Sequence, residues 1–200
     1  DGTIDIIRSY NDYRIKLVHN SGRKGVVGNF ENALANAKGD FIFLSDQDDI
    51  WHDNKVEVVM CALKDSQLVV HNALLVDENE VPFGNDYFHV RGVRKGFWNI
   101  LIKNRFLGCC MAFNRTMLEY ILPFPRSIQW HDMWIALVVQ MYHDVSLLYE
   151  NLISYRRHDG NLSTTAFKSK FSLLFMIKYR LVFIGQCINR YVNMRIKKLL

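Results

Sequence analysis

Apolar positions along this chain change period several times, and each change marks an element. Ile4, Ile7 and Tyr10 fall on one side of a short helical stretch. "IKLVH" at residues 15–19 alternates and is rich enough in β-branched residues to predict a strand. After the loop "NSGRKG", Val26, Phe30, Ala33, Leu34 and Ala37 recur at i, i+4, i+7, i+8 and i+11, one face of a helix that Gly39 ends. Residues 41–44 are a continuous apolar run, the pattern of a strand buried on both faces. Val56, Val59, Met60 and Leu63 predict a further helix, and "LVVHNALLV" a further strand. This β-α-β-α-β rhythm predicts an α/β protein with a mostly parallel sheet flanked by helices.

Residues 77–95 are polar, contain glycine and lack a clear period, as a functional loop does. Beyond them "FWNILIK" predicts a short helix, "CCMAFN" a strand, and "TMLEYIL" a helix closed by Pro123. "HDMWIALVVQMY" is a helix with Asp132 in its first turn, and "VSLLYE" and "ISYRRH" read as two strands. From Ala166 onward the chain is helix-like and basic, which divides it into a domain over residues 1–165 and a tail over residues 166–200.

Charge sharpens that division. The net charge is +5, yet eight of the 25 basic residues follow Asp159, where no acidic residue occurs. The body is therefore slightly acidic and the tail basic. A basic tail without a basic groove points to a membrane surface or a partner and away from nucleic acid. Cys61, Cys109, Cys110 and Cys187 have no C-x-x-C or zinc-site spacing, and no signal-peptide pattern opens the chain. A reduced, cytoplasmic compartment is the expectation.

Three constellations carry candidate chemistry. "FIFLSDQDDIW" runs from an apolar strand into Asp46, Asp48 and Asp49. In open α/β sheets ligands gather beyond the carboxyl ends of strands, and clustered carboxylates there suit Mg²⁺ or Mn²⁺ carrying a diphosphate. A solvated capping turn is the competing reading. Asp132 follows His131 between Trp130 and Trp134, where a carboxylate is either a helix-terminus partner or a general base facing a cleft. His158 ends a strand in "SYRRHDGNLS" and is either a satisfied surface residue or a late metal ligand. Gly22, Gly25 and Gly28 form neither a P-loop nor a dinucleotide fingerprint, and Cys109-Cys110 reads most simply as two buried small residues.

Together the segments "GVVGNFENALANAKGDFIFLSDQDDIWHDNK", "GCCMAFNR", "WHDMWIAL" and "YRRHDGNLS" resemble, in order and spacing, the family 2 glycosyltransferases of GT-A fold, in particular their bacterial rhamnosyltransferase-like branch. The resemblance implies Asp46 and Asp48 as a D-x-D pair, with Asp48 the direct metal ligand, and Asp132 as catalytic base. It also implies His158 as a metal or diphosphate contact, Asn29 as a donor-facing residue at a helix entry, and "GCCMAFN" as the acceptor wall. The implied cofactor is Mn²⁺ or Mg²⁺. The implied reaction is inverting transfer of a sugar, from dTDP-rhamnose or a UDP-sugar, to a surface polysaccharide or lipid-linked glycan. The tail would then sit at the cytoplasmic face of the inner membrane. The family opens on a strand and an acidic motif of which only "DGT" at residues 1–3 is matched, so the resemblance implies an N-terminally truncated chain. Two alternatives stand beside it. A haloacid-dehalogenase-like phosphatase also places D-x-D after a strand, although the Gly-Thr that usually follows is lacking. A non-catalytic membrane-surface module would rest on the basic tail alone.

Overall fold

The computed structural model describes residues 2–157 and 172–199. Five strands form one sheet in the order β1-β4-β3-β5-β2. They are β1 (Phe41–Phe43), β2 (Ile50–Trp51), β3 (Leu68–Val76), β4 (Met111–Asn114) and β5 (Val145–Arg156). The helices are α1 (Thr3–Ser9), α2 (Val26–Asn36), α3 (Lys55–Ala62), α4 (Tyr87–Arg91), α5 (Phe97–Ile102), α6 (Leu118–Ile121), α7 (His131–Gln140) and α8 (Leu173–Lys197).

The α/β expectation holds, while the pairing within the described sheet differs from it. Only β3 and β5 are parallel; β1 with β4, β3 with β4, and β2 with β5 are antiparallel. A parallel pair needs a long crossover, and the chain between β3 and β5, with α7 at its end, supplies one. β4 and β2 enter against the neighbouring direction, so the sheet is mixed. β3 is buried at every position but Leu74, as its apolar run requires. β1 is an edge of the described sheet, with Phe41 exposed, rather than a strand covered on both faces.

Three other elements depart from the sequence pattern. Residues 15–19 are irregular and mostly exposed, because no described strand lies alongside to complete a ladder. The two strands expected around residue 150 are one, β5. Its register against β3 jumps from His71–Leu148 to Asn72–Asn151, so Tyr149 and Glu150 bulge out. The Asn72 side chain clamps that bulge by donating to the Tyr149 carbonyl at 3.2 Å. The "CCMAFN" strand begins only at Met111, and Gly108–Cys110 form a 3₁₀ turn before it.

α7 is the central helix, with eight of its residues buried. The Trp134 indole donates to the Ile121 carbonyl at 2.9 Å, so even its polar atom is satisfied in the core. α8 lies against this body through Phe183, Cys187 and Met194. Arg190 donates to the Tyr120 and Leu122 carbonyls at 2.6 Å each, and Arg180 to the Leu101 carbonyl at 3.3 Å. Ser172 caps its first turn by accepting from the Phe175 amide at 3.2 Å. No helix of the described residues is long and apolar enough to cross a membrane.

Candidate active site

The turn between β1 and β2 sets three half-buried carboxylates side by side: Asp46, Asp48 and Asp49. Carboxylate oxygens of Asp46 and Asp49 and the Cys109 sulfur all lie within 4.8 Å of one another. Burial, then the charges of Asp49, Asp48 and Asp132, push the Asp46 carboxyl up to about 6, while the Cys109 thiol works the other way. Asp49 is raised chiefly by burial. Its Oδ1 accepts from the Arg156 amide at 3.3 Å, and its Oδ2 is buried without a hydrogen-bond partner. A solvated capping turn would leave neither a raised acid nor an orphaned oxygen. The arrangement fits a bound cation better.

Asp132 reaches this cluster from the start of α7. It is not the helix cap: that position is Trp130, and the Asp132 Oδ1 accepts from the adjacent Met133 amide at 2.7 Å. Its charge adds to those of Asp49 and Asp48 in raising Asp46. Gly108 makes this approach feasible. A Cβ there would come 2.7 Å from the His131 Nε2 and 3.8 Å from the Asp132 Cβ, so only glycine lets the Gly108–Cys110 turn touch α7. His131 stacks on Phe30 of α2, with ring centroids 3.8 Å apart, which fixes the start of α7 against its neighbour.

Two residues of this neighbourhood escaped sequence reasoning. Lys55 opens α3 yet is only 1 % exposed. Its Nζ donates to the Cys109 carbonyl at 3.1 Å and stands 3.8 Å from the centre of the Trp51 ring. Burial draws the amine down to about 8, against the opposing pull of Cys110, Cys109 and Asp49. The one hint was a lysine directly ahead of an apolar helical face, a pattern shared by many exposed helix starts. Tyr87, on α4 within the loop expected at residues 77–95, is the second. Burial raises its phenol well above the usual range, Asp132 is among its charged neighbours, and its hydroxyl has no hydrogen-bond partner.

The other expected residues are placed differently. Asn29 is exposed on α2, and its side-chain oxygen accepts from Asn20 at 2.7 Å, bracing the glycine-rich loop. The next residue, Phe30, lays its ring on His131. A Cβ on Gly28 would sit 1.8 Å from the Arg23 carbonyl oxygen, so this glycine serves loop packing. Asp48 adjoins Asp46 and Asp49 and raises both, but it is outside the trio formed with Cys109. His158 lies outside the described residues.

Comparison with known proteins agrees with this arrangement. The model of Glycosyl transferase family 2 matches residues 1–122. The UDP-Glc:alpha-D-GlcNAc-diphosphoundecaprenol beta-1,3-glucosyltransferase WfgD of Escherichia coli is 29% identical over 174 residues, 84% of this chain and 66% of that protein. The glycosyltransferase GlyG of Streptococcus pneumoniae is 31% identical over 83 residues, 40% of this chain and 27% of that one. The chain thus spans between about a quarter and two thirds of these relatives. Among solved structures, S. aureus TarS 1-349 in complex with UDP-GlcNAc superimposes with a TM-score of 0.61 over 92% of this chain and 54% of that one, at 18% identity, and so shares its fold. By sequence model, relatives and fold alike, this chain belongs to glycosyl transferase family 2.

Proposed function

We propose that this protein moves a hexose from a UDP-sugar to a hydroxyl of a lipid-linked or surface glycan, with inversion at the anomeric carbon. The observation that carries the reading is the convergence of Asp46 and Asp49 oxygens with the Cys109 sulfur, in a turn whose Asp46 also feels the charge of the distant Asp132. Family membership favours sugar transfer over the phosphatase alternative. A UDP-hexose is favoured over dTDP-rhamnose because WfgD is a UDP-Glc-dependent glucosyltransferase and the TarS structure is a complex with UDP-GlcNAc.

Asp46 and Asp49, with Asp48 alongside, would hold a divalent cation, Mg²⁺ or Mn²⁺; their carboxyls, pushed above the usual range, and the buried Asp49 Oδ2 fit one. Such a cation supplies Lewis-acid stabilisation of the leaving diphosphate and a template for it. Asp132 accepts the proton of the acceptor hydroxyl as that oxygen bonds to the anomeric carbon and the bond to the diphosphate breaks. Lys55, fixed behind the cluster by the Cys109 carbonyl and Trp51, limits the repulsion among the carboxylates. The outward face of α8 carries Leu174, Leu181, Ile188 and Val192 exposed, with Lys178 and Arg195 also exposed. That combination suits peripheral contact with an anionic membrane that holds a lipid-linked acceptor. His158, as a further cation or diphosphate contact, stays part of the proposal.

The test is calorimetric titration with UDP-Glc, UDP-GlcNAc and dTDP-rhamnose, each with and without Mn²⁺. Cation-dependent binding of a UDP-sugar supports the reading. Binding of no nucleotide sugar in the presence of Mn²⁺ would sink it, and preference for dTDP-rhamnose would replace the hexose.

A further inference from the structure

We infer that the Cys109 thiol is itself a ligand of the cation, so that the site is a mixed oxygen–sulfur centre favouring thiophilic ions such as Zn²⁺ and Co²⁺ over Mg²⁺. The inference rests on the cation site proposed above and adds a donor of a different chemical kind.

The Cys109 sulfur and oxygens of Asp46 and Asp49 lie within 4.8 Å of one another. One ion with oxygen ligands near about 2.1 Å and sulfur near about 2.3 Å asks for little further closure. The thiol is not a surface group that happens to pass by. Cys109 is 0% exposed, and its turn is tied down on three sides. Its carbonyl accepts from Lys55 at 3.1 Å, the Cys110 amide bonds the Leu107 carbonyl at 3.2 Å, and Gly108 abuts His131. A sulfur held so firmly costs little further ordering when an ion arrives.

The bland alternative is a buried cysteine acting as a small hydrophobe, the commonest role of a free thiol. That role calls for apolar neighbours. Here the sulfur faces two carboxylates, to both of which its thiol hydrogen-bonds, and Asp49 Oδ2 is buried beside it with no other partner. Three donors converge where the protein provides no cation at their centre; Lys55 lies behind the turn, against the Trp51 ring. Thiolate donors shift preference toward softer ions and away from Mg²⁺, which takes oxygen almost exclusively. Three protein ligands also leave coordination positions open for diphosphate oxygens.

The experiment uses the whole chain and Co²⁺ as probe, with and without UDP. One equivalent of Co²⁺ should bind and show a thiolate-to-cobalt charge-transfer band in the near ultraviolet. Cys109→Ser should abolish the band and weaken Co²⁺ and Zn²⁺ binding by about tenfold or more, with Mg²⁺ binding little changed. Cys110→Ser, one residue along the same turn, should keep the band. If Cys109→Ser does not fold, X-ray absorption of the Zn²⁺-loaded parent decides, with a sulfur scatterer at about 2.3 Å expected. Co²⁺ or Zn²⁺ bound without a sulfur signature, or a band that survives Cys109→Ser, overturns the thiol ligand and leaves the oxygen site standing. No binding of either ion, with or without UDP, overturns both readings.

Discussion

The acidic turn at residues 46–49 and the basic helix α8 hold this molecule's charge in opposite ways. On α8, Arg190 and Arg180 are spent on backbone carbonyls of α6, α5 and the segment after α6, and Lys197 meets Glu119 at 2.9 Å. Those charges act as staples for a helix that buries few side chains. In the acidic turn the carboxylates crowd one another, and burial and repulsion raise Asp46 and Asp49 with no ion pair to either among the described residues. Protein charge that is already satisfied by protein reads as architecture. Charge gathered at an energetic cost and left open reads as a site prepared for something else.

The sharpest way to break that contrast is to remove the carboxylate on the facing side. Asp132→Asn keeps the bond from the Met133 amide through its remaining oxygen, so α7 should stay folded. As a base acting in the transition state it should cost roughly 10²–10⁴ in kcat, with donor affinity nearly unchanged. Near-parental turnover would return Asp132 to a helix-terminus role.

Next comes the cluster itself. Asp46→Asn and Asp49→Asn should each weaken cation-dependent donor binding by at least about tenfold, more than Asp48→Asn, because their oxygens already converge with the Cys109 sulfur. Equal losses for all three would mean that the ion sits further out, over Asp48. The same residues predict a pH effect without any cation. The folded Asp46 carboxyl is raised to about 6 from an unfolded value of 3.8, so the native state binds more protons than the unfolded one between these values. Apo stability should then be highest below the lower value and fall as pH rises through the upper one, by about 1–2 kcal/mol after allowing for partial exposure. Thermal melts from about pH 4 to 7 measure this. The slope should flatten in Asp46→Asn and be offset by Mn²⁺ at neutral pH. A stability that climbs through that window in the apo protein would contradict the raised carboxyl.

Gly108→Ala probes the joint between the two walls. Its Cβ would meet the His131 Nε2 at 2.7 Å, so either the cysteine turn or the start of α7 has to move. The expected cost is about 1–3 kcal/mol, as for other overpacked interiors, together with lower turnover. An alanine variant as stable and active as the parent would show that the turn has room to shift.

These experiments bear on residues that were unequally legible in the sequence. α2, α3 and α5 were predictable from apolar residues at helical spacing, although Val26, Ala33 and Val56 are exposed; α7 was predictable from a long apolar stretch that is buried nearly all round, and β3 from seven apolar residues among nine, which suit a central strand. The carboxylates were conspicuous by type. Cys109 and Lys55 were not: a thiol before an apolar strand looks like core, and a lysine at a helix start looks like surface. Their meaning depends on a fold that brings residue 109 onto residues 46 and 49 and lays residue 55 beneath it. The continuity of β5 was hidden for a similar reason. The Asn72 side chain that holds its bulge lies on another strand, far away in sequence.

The smallest expected effect concerns α8, where the contrast can be sharpened most finely. Leu174, Leu181, Ile188 and Val192 recur at intervals of seven or four and are all exposed. They form one apolar stripe opposite the face that packs through Phe183, Cys187 and Met194. Lys178 and Arg195 flank this stripe, and no acidic residue follows Asp159 to oppose them. Two copies meeting along it would bring like charges together, whereas an anionic bilayer would attract them. Each such cation is worth about 1 kcal/mol near a charged surface, and the effect should fade with salt. Co-sedimentation with anionic and neutral vesicles, at low and high salt, is the measurement. Leu181→Glu together with Ile188→Glu should reduce pelleting with anionic vesicles by about tenfold, since both leave the docking contacts of Arg180 and Arg190 untouched. Pelleting unaltered by these changes, or equal on neutral vesicles, would make α8 a structural staple and nothing more.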